Sequence, residues 1–250
     1  MTRHLLRLLI LLPSLAFGAV AVDSTNVKSS DANAFLGGSY SVTMTVTCAT
    51  SDDLLVVEIG AQGGTTGYPT FTSVQYNGVA MTFLSGSSSQ LLNANYFSTY
   101  TYYMVNPPTG SAYALNIIFS LGQGGAVAIP ISGVNTSTPF GTPVLASSSA
   151  NNSAAITATG AGTNDLYIAT AFNGIATMVH SGANQTNIAA LNAFSSNSSI
   201  TADSVPGVDP GVFSWTGSGT QWQNGWVASG VNVVAGSAAT PYSSMFLTFP

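Results

Sequence analysis

Residues 73–85, SVQYNGVAMTFLS, constrain the fold of this chain more than any other stretch. Asn77-Gly78 separates two runs in which apolar and polar residues alternate. Both residues tolerate positive φ, which a two-residue type I′ hairpin turn requires. A turn there sets Tyr76 opposite Val79, Gln75 opposite Ala80 and Val74 opposite Met81. Val74, Tyr76, Val79, Met81 and Phe83 then share one face, and Ser73, Gln75, Ala80 and Thr82 the other. A lone hairpin is marginal in water, so the apolar face predicts a packed partner.

The rest of the chain supplies strands of the same kind. Residues 40–48 alternate strictly, with Tyr40, Val42, Met44, Val46 and Cys48 on one face and Ser41, Thr43, Thr45 and Thr47 on the other. Residues 54–61, LLVVEIGA, are apolar on both faces, the mark of a central strand. Strands are also predicted over 96–105, 113–120 and 126–134, and Pro130 in the last points to an edge or a bulge. The second half reads as strands over 143–147, 154–159, 166–172, 177–181, 213–216 and 226–234, with 186–194 a strand or a short helix. Residues 85–95 and 197–211 read as loops, and Asn224-Gly225 as a second hairpin turn. Outside the N-terminus no run of ten residues carries a helical period, and no period of 20–50 residues recurs. The expectation is an all-β protein, an antiparallel β-sandwich or jelly roll, in a single domain over residues 22–235. Residues 236–250 would form an apolar tail or a final strand.

Charge narrows the partners. Apolar residues make up 46% of the chain and charged residues 4%, against roughly 25% charged in an ordinary domain. Disorder is disfavoured, because disordered chains combine low hydrophobicity with high net charge. The basic residues are Arg3, Arg7 and Lys28, too few for a phosphate-binding patch, which excludes nucleic acid as a partner. Residues 1–21 carry Arg3 and Arg7, a leucine-rich run broken by Pro13, and then small residues. That run is too short to span a bilayer and reads as a secretory signal, implying a secreted or cell-surface protein. Ala19-Val20-Ala21 fits the cleavage site, with Ala16-Phe17-Gly18 as its rival. Losing residues 1–21 leaves one Lys against eight acids.

Few residues offer chemistry. A single cysteine, Cys48, rules out an internal disulfide and is expected to be a buried, inert thiol. His180 is the one histidine beyond the leader, and no G-x-S-x-G elbow accompanies it. Glu58, between Val57 and Ile59, could carry a raised pKa, but a glycosidase needs two carboxylates and spacing names no second one. Asp203 and Asp209, in TADSVPGVDPG, are weak candidates for calcium ligands from one loop, with turn formation the plainer role. No other cofactor is implied. Tyr96, Tyr100 and Tyr102 share a strand face, and Trp222 lies in a polar loop. Exposed rings of this kind suit stacking on sugars, whereas an inward-facing set would simply fill a core.

Three segments together carry a resemblance: SVQYNGVAMT at 73–82, YYMVNPPTG at 102–110 and ISGVNTSTP at 131–139. In that order they resemble a secreted bacterial β-sandwich module found in large surface proteins and in stand-alone exported proteins. The resemblance implies the fold and export. Its motifs are structural and imply no catalytic residues. The functional expectation is a non-enzymatic secreted or surface-exposed structural or adhesive protein, self-assembling through strand edges that lack the usual blunting charges. The alternative is a carbohydrate-binding module using Tyr96, Tyr100, Tyr102 or Trp222. Partners would be further copies, other surface proteins or glycans.

Overall fold

The computed structural model describes residues 18–32, 40–63, 67–90, 96–119, 122–149, 153–174, 177–194, 198–207, 209–218 and 225–236. All regular structure among them is β-strand. One sheet is built from β1 (Ala21–Val22), β2 (Lys28–Ala32), β4 (Asp52–Gln62), β7 (Thr82–Gln90), β8 (Tyr96–Val105) and β10 (Gln123–Ser132). Its order is β1-β10-β4-β8-β7, with β2 also on β10. A second sheet faces it in the order β3 (Tyr40–Thr47), β9 (Ala112–Phe119), β5 (Phe71–Tyr76), β6 (Val79–Ala80).

The second half of the chain repeats that path. One sheet runs β11 (Val144–Ser148), β18 (Trp226–Val233), β13 (Leu166–Asn173), β16 (Ser198–Pro206), β15 (Thr186–Phe194). The other runs β12 (Ser153–Ala158), β17 (Gly211–Ser218), β14 (Thr177–His180). Strand for strand, β2, β3, β4, β5, β7, β8, β9 and β10 correspond to β11, β12, β13, β14, β15, β16, β17 and β18. Each half follows a jelly-roll order, and every pairing is antiparallel.

Side-chain alternation on the central strands explains how the halves join. On β4, Leu55, Val57 and Ile59 enter the first core with Val42, Val46, Leu115 and Ile117. Leu54 and Val56 point the other way, into a layer shared with Val127, Ile129, Ile131, Ile168, Ala202, Val231 and Val233. The second core holds Tyr167, Ala169, Phe213, Trp215 and Trp226. The two sandwiches are therefore stacked four sheets deep, and β4 is apolar on both faces because both are buried.

The hairpin forms where expected. Asn77 and Gly78 take φ of 50° and 73°, Tyr76 pairs with Val79 and Gln75 with Ala80, and the Met81 N–H donates to the Val74 carbonyl at 2.9 Å. Its outer arm departs from the expectation. Val74, Tyr76 and Met81 are buried, but Val79 is 55% and Phe83 52% exposed. The arm ends at Ala80, and after Met81 the chain crosses to the facing sheet as β7, where Phe83 pairs with Tyr102.

Two further expectations are corrected. Residues 85–90 are strand, paired with β8 through a bulge between Phe83 and Ser85; 91–95 lie outside the described residues. Residues 198–206 are not loop but a buried central strand, β16. Residues 186–194, left open between a strand and a short helix, are strand. The strands on either side of Asn224-Gly225, β17 and β18, belong to different sheets and do not pair with each other; Asn224 itself lies outside the described residues, as do 237–250. Pro130 lies in the central strand β10, but where its neighbour is interrupted between β1 and β2. Its carbonyl accepts the Asp23 N–H there at 2.9 Å. In an extended strand a residue's N–H points the same way as its carbonyl, so the missing donor costs no ladder bond. A bulge follows between Ile131 and Ser132.

Candidate functional site

A partly open cluster of aromatic side chains lies at the β7 edge of the first sandwich. Alternation along β8 sends Phe97 into the layer between the sandwiches and turns Tyr100, Tyr102 and Met104 toward the sheet that carries β5. That sheet ends with the two-residue β6. It is too narrow to cover β7 and the outer face of β8, so these rings stay partly exposed. Phe71, from β5, packs edge-on to Tyr100 with centroids 4.6 Å apart and lies 6.2 Å from Tyr102. Phe83, from β7, stands 5.4 Å from Tyr102 and 6.4 Å from Tyr100. The Tyr100 hydroxyl donates to the Pro69 carbonyl at 3.1 Å, which fixes that ring. Further along, Tyr96 packs edge-on to the exposed Tyr68 at 4.6 Å.

Beside these rings is a recess of about 270 Å³, lined by Phe71, Thr72, Ser73, Gln75, Met81 and Tyr102. A larger recess of about 500 Å³ lies beyond β6, against Val79, Thr82, Tyr103, Met104, Asn106 and Pro108. Neither has a charged residue in its lining. Burial, and then the neighbouring Tyr100, raise the Tyr102 pKa, so its hydroxyl stays neutral. Rings flanked by hydroxyl and amide groups, without charge, can hold a flat, uncharged, hydroxylated ligand by stacking and hydrogen bonding.

The expected ligand residues thus divide. Tyr100 and Tyr102 belong to the shelf, Tyr96 sits at its far end, and Trp222 lies outside the described residues. Phe71, Phe83 and Tyr68 complete the shelf and were not anticipated. Phe83 could not be, because its exposure depends on where β6 stops.

The titratable residues have other surroundings. Asp203 is wholly buried on β16 and not in a loop. It accepts from Trp215 Nε1 at 2.5 Å and from Thr201 Oγ1 and Asn187 Nδ2 at 3.0 Å each. Burial raises its pKa, against the pull of the Trp215, Asn187 and Thr201 donors. His180 Nδ1 is 3.8 Å away, on a side chain that is 40% exposed. Asp209 is exposed and accepts from the Tyr167 hydroxyl and the Gly160 N–H, both at 3.0 Å. Asp203 thus lies on a strand and not in one loop with Asp209, and the two aspartates share none of these partners. Among the described residues, no three His, Cys, Asp or Glu side chains gather as a metal site would require.

Glu58 lies on the face of β4 that carries Leu54 and Val56, between the sandwiches, and is 1% exposed. Burial pushes its pKa up to about 8, against the Thr101 hydroxyl that donates to it at 2.9 Å. A carboxyl sealed in that layer meets no substrate from solvent. Cys48 is buried and free, and burial raises its thiol to about 11, consistent with an inert group. Among the described residues no helix is long and apolar enough to cross a membrane. The chain matches no family model, no curated protein and no solved structure.

Proposed function

We propose that this chain is a non-enzymatic, exported β-sandwich protein that serves as a structural or adhesive unit at a cell or extracellular surface, assembling through strand edges. The observation that carries this reading is the character of two edge strands. β3 and β12 terminate their sheets, and both pair with their inner neighbours without a bulge. Neither contains a charged residue or a proline. Soluble proteins ordinarily blunt such edges with lysine, proline or bulges. By contrast β7 and β15, which end the inner sheets, are bulged. A straight, uncharged edge accepts a strand from another molecule through backbone hydrogen bonds. Thr45 on β3 and Thr157 on β12 are exposed on their outer faces. Light scattering on the purified protein should report concentration-dependent oligomers, and T45K/T157K should remain monomeric with an unchanged circular dichroism spectrum. A wild-type protein that stays monomeric at high concentration removes the reading.

The aromatic shelf favours a second reading, a module that holds uncharged glycans. Phe83 is 52% exposed and packs on Tyr102 next to the hydroxyl- and amide-lined recess. Depletion of the protein from solution by insoluble cellulose or chitin, weakened tenfold or more in F83A and Y102A, is the expected result. No retention of the wild type on any neutral polysaccharide removes this reading.

A further inference from the structure

We propose that the leader is cut between Gly18 and Ala19, so that the mature chain starts at Ala19 and not at Val22. The proposal rests on the export reading above. Small residues at both Ala16/Gly18 and Ala19/Ala21 satisfy the spacing a signal peptidase needs, so the sequence leaves two positions open. The fold separates them.

Residues 19–22 are part of the structure. Val20 is 6% exposed, in the layer between the sandwiches with Leu54, Ile131 and Val134. Its N–H donates to the Asn164 carbonyl at 2.9 Å, tying the first sandwich to the second. Ala21 pairs with Ser132 and Val22 with Ile131, extending the sheet beyond β10. Opposite this segment Gly133 has φ of 75°, and a Cβ there would lie 2.9 Å from the Ala19 carbonyl oxygen. The sheet edge therefore depends on a backbone that closely approaches it. Gly18 is less engaged: it is exposed, a Cβ built on it would meet nothing within 4 Å, and only its carbonyl oxygen comes near, 3.1 Å from a Cβ on Gly133. Cleavage after Ala21 would discard the buried Val20, its bond to Asn164 and half of β1. Cleavage after Gly18 discards none of these. The bond is cut while the chain is still extended during export, so the fold does not choose by shielding a bond; it chooses by needing residues 19–21 in the mature chain.

The test is export of the full chain from a secreting bacterial host, followed by N-terminal sequencing and intact mass. The expected start is Ala19. A product that starts at Val22 overturns the proposal and leaves export standing. A product retained inside the cell with Met1 intact overturns both. As a second measurement, the chain is produced without its leader from Ala19 and from Val22, each behind one initiator methionine. The shorter form should melt at a lower temperature, and equal melting temperatures would show that residues 19–21 carry no structural weight.

Discussion

Gly60 and Phe172 stand at matching positions on the central strands of the two sandwiches and press against one another. A Cβ on Gly60 would lie 2.5 Å from Phe172 Cδ2 and 3.1 Å from Phe172 Cβ. The correspondence follows from register: Leu54 pairs with Ile131 and Leu166 with Val233, and the pair lies six residues beyond each leucine. Phe172 also packs edge-on to Phe97 at 5.2 Å and is sealed by Ile200 and Val227. A missing side chain in one half thus makes room for a large one in the other.

Gly60→Ala should therefore lower stability by about 1–3 kcal/mol, because the clash is with the fixed base of a ring and not a flexible tip. In a Phe172→Ala background the same change should cost much less, the sign of a direct contact. Urea denaturation of the four proteins measures the coupling. The shared layer also leads us to propose that both sandwiches unfold in one transition, consistent with a single folding unit. Equal costs in both backgrounds would mean that the two strands do not touch as described.

Glu58 gives the fold a pH dependence with a definite sign. Its carboxyl titrates near 8 when folded and near 4.5 when unfolded. Between those values the folded state holds a proton that the unfolded state has released, so stability falls as pH rises from 4.5 to 8. At about 1.4 kcal/mol per pH unit the loss approaches about 3 kcal/mol by pH 7. Glu58→Gln keeps the shape and can still accept from Thr101, but removes the titration. Its stability should match wild type near pH 5 and exceed it increasingly toward pH 8. Parallel profiles for the two proteins would show that Glu58 is hydrated.

The parts of this architecture legible in the sequence are those whose signal is local. Asn77-Gly78 carries its own turn geometry, and Val42, Met44 and Val46 alternate with threonines whatever else surrounds them. Tyr113, Leu115, Ile117 and Phe119 alternate in the same way, and the last three are fully buried. The hidden parts depend on partners distant in sequence. β16 looks like loop because Thr201 and Asp203 are polar, yet Trp215 and Asn187 supply the hydrogen bonds that let Asp203 be buried. The repeated path left no period of 20–50 residues because matching positions, such as Leu54 and Leu166, stand about 112 residues apart, and many of them hold different residues, as Gly60 and Phe172 do. Asp-Leu at the start of β4 and of β13 is one trace of it. On the shelf, Tyr100 and Tyr102 were readable from alternation, whereas Phe83 reached them only through the crossover after Met81.

That Asp-Leu trace leads to a test at the end of each sandwich. Asp53 Oδ2 accepts the N–H groups of Gly133 and Val134 at 2.8 and 3.2 Å, just past β10. Asp165 does the same past β18, where Oδ1 accepts the Ala235 N–H at 2.8 Å, while Oδ2 accepts from Gly162 and Asn232 at 2.7 and 2.9 Å. The two anchored segments meet through a bridge between Val134 and Ala235. Burial alone would raise the Asp165 pKa, but the Ala235, Asn232 and Gly162 donors outweigh it and hold the carboxyl below its usual 3.8. A depressed acid stabilises the fold above its unfolded pKa, and that contribution disappears as pH falls through the folded value. Asp165→Asn should cost about 1–2 kcal/mol at pH 7, a modest figure because the site is partly solvated. The difference from wild type should shrink as pH is lowered below 3.8. Thermal melts of both proteins from pH 7 to pH 2.5 provide the measurement, and a gap that stays constant over that range would show that the carboxylate charge contributes nothing to anchoring the strand ends.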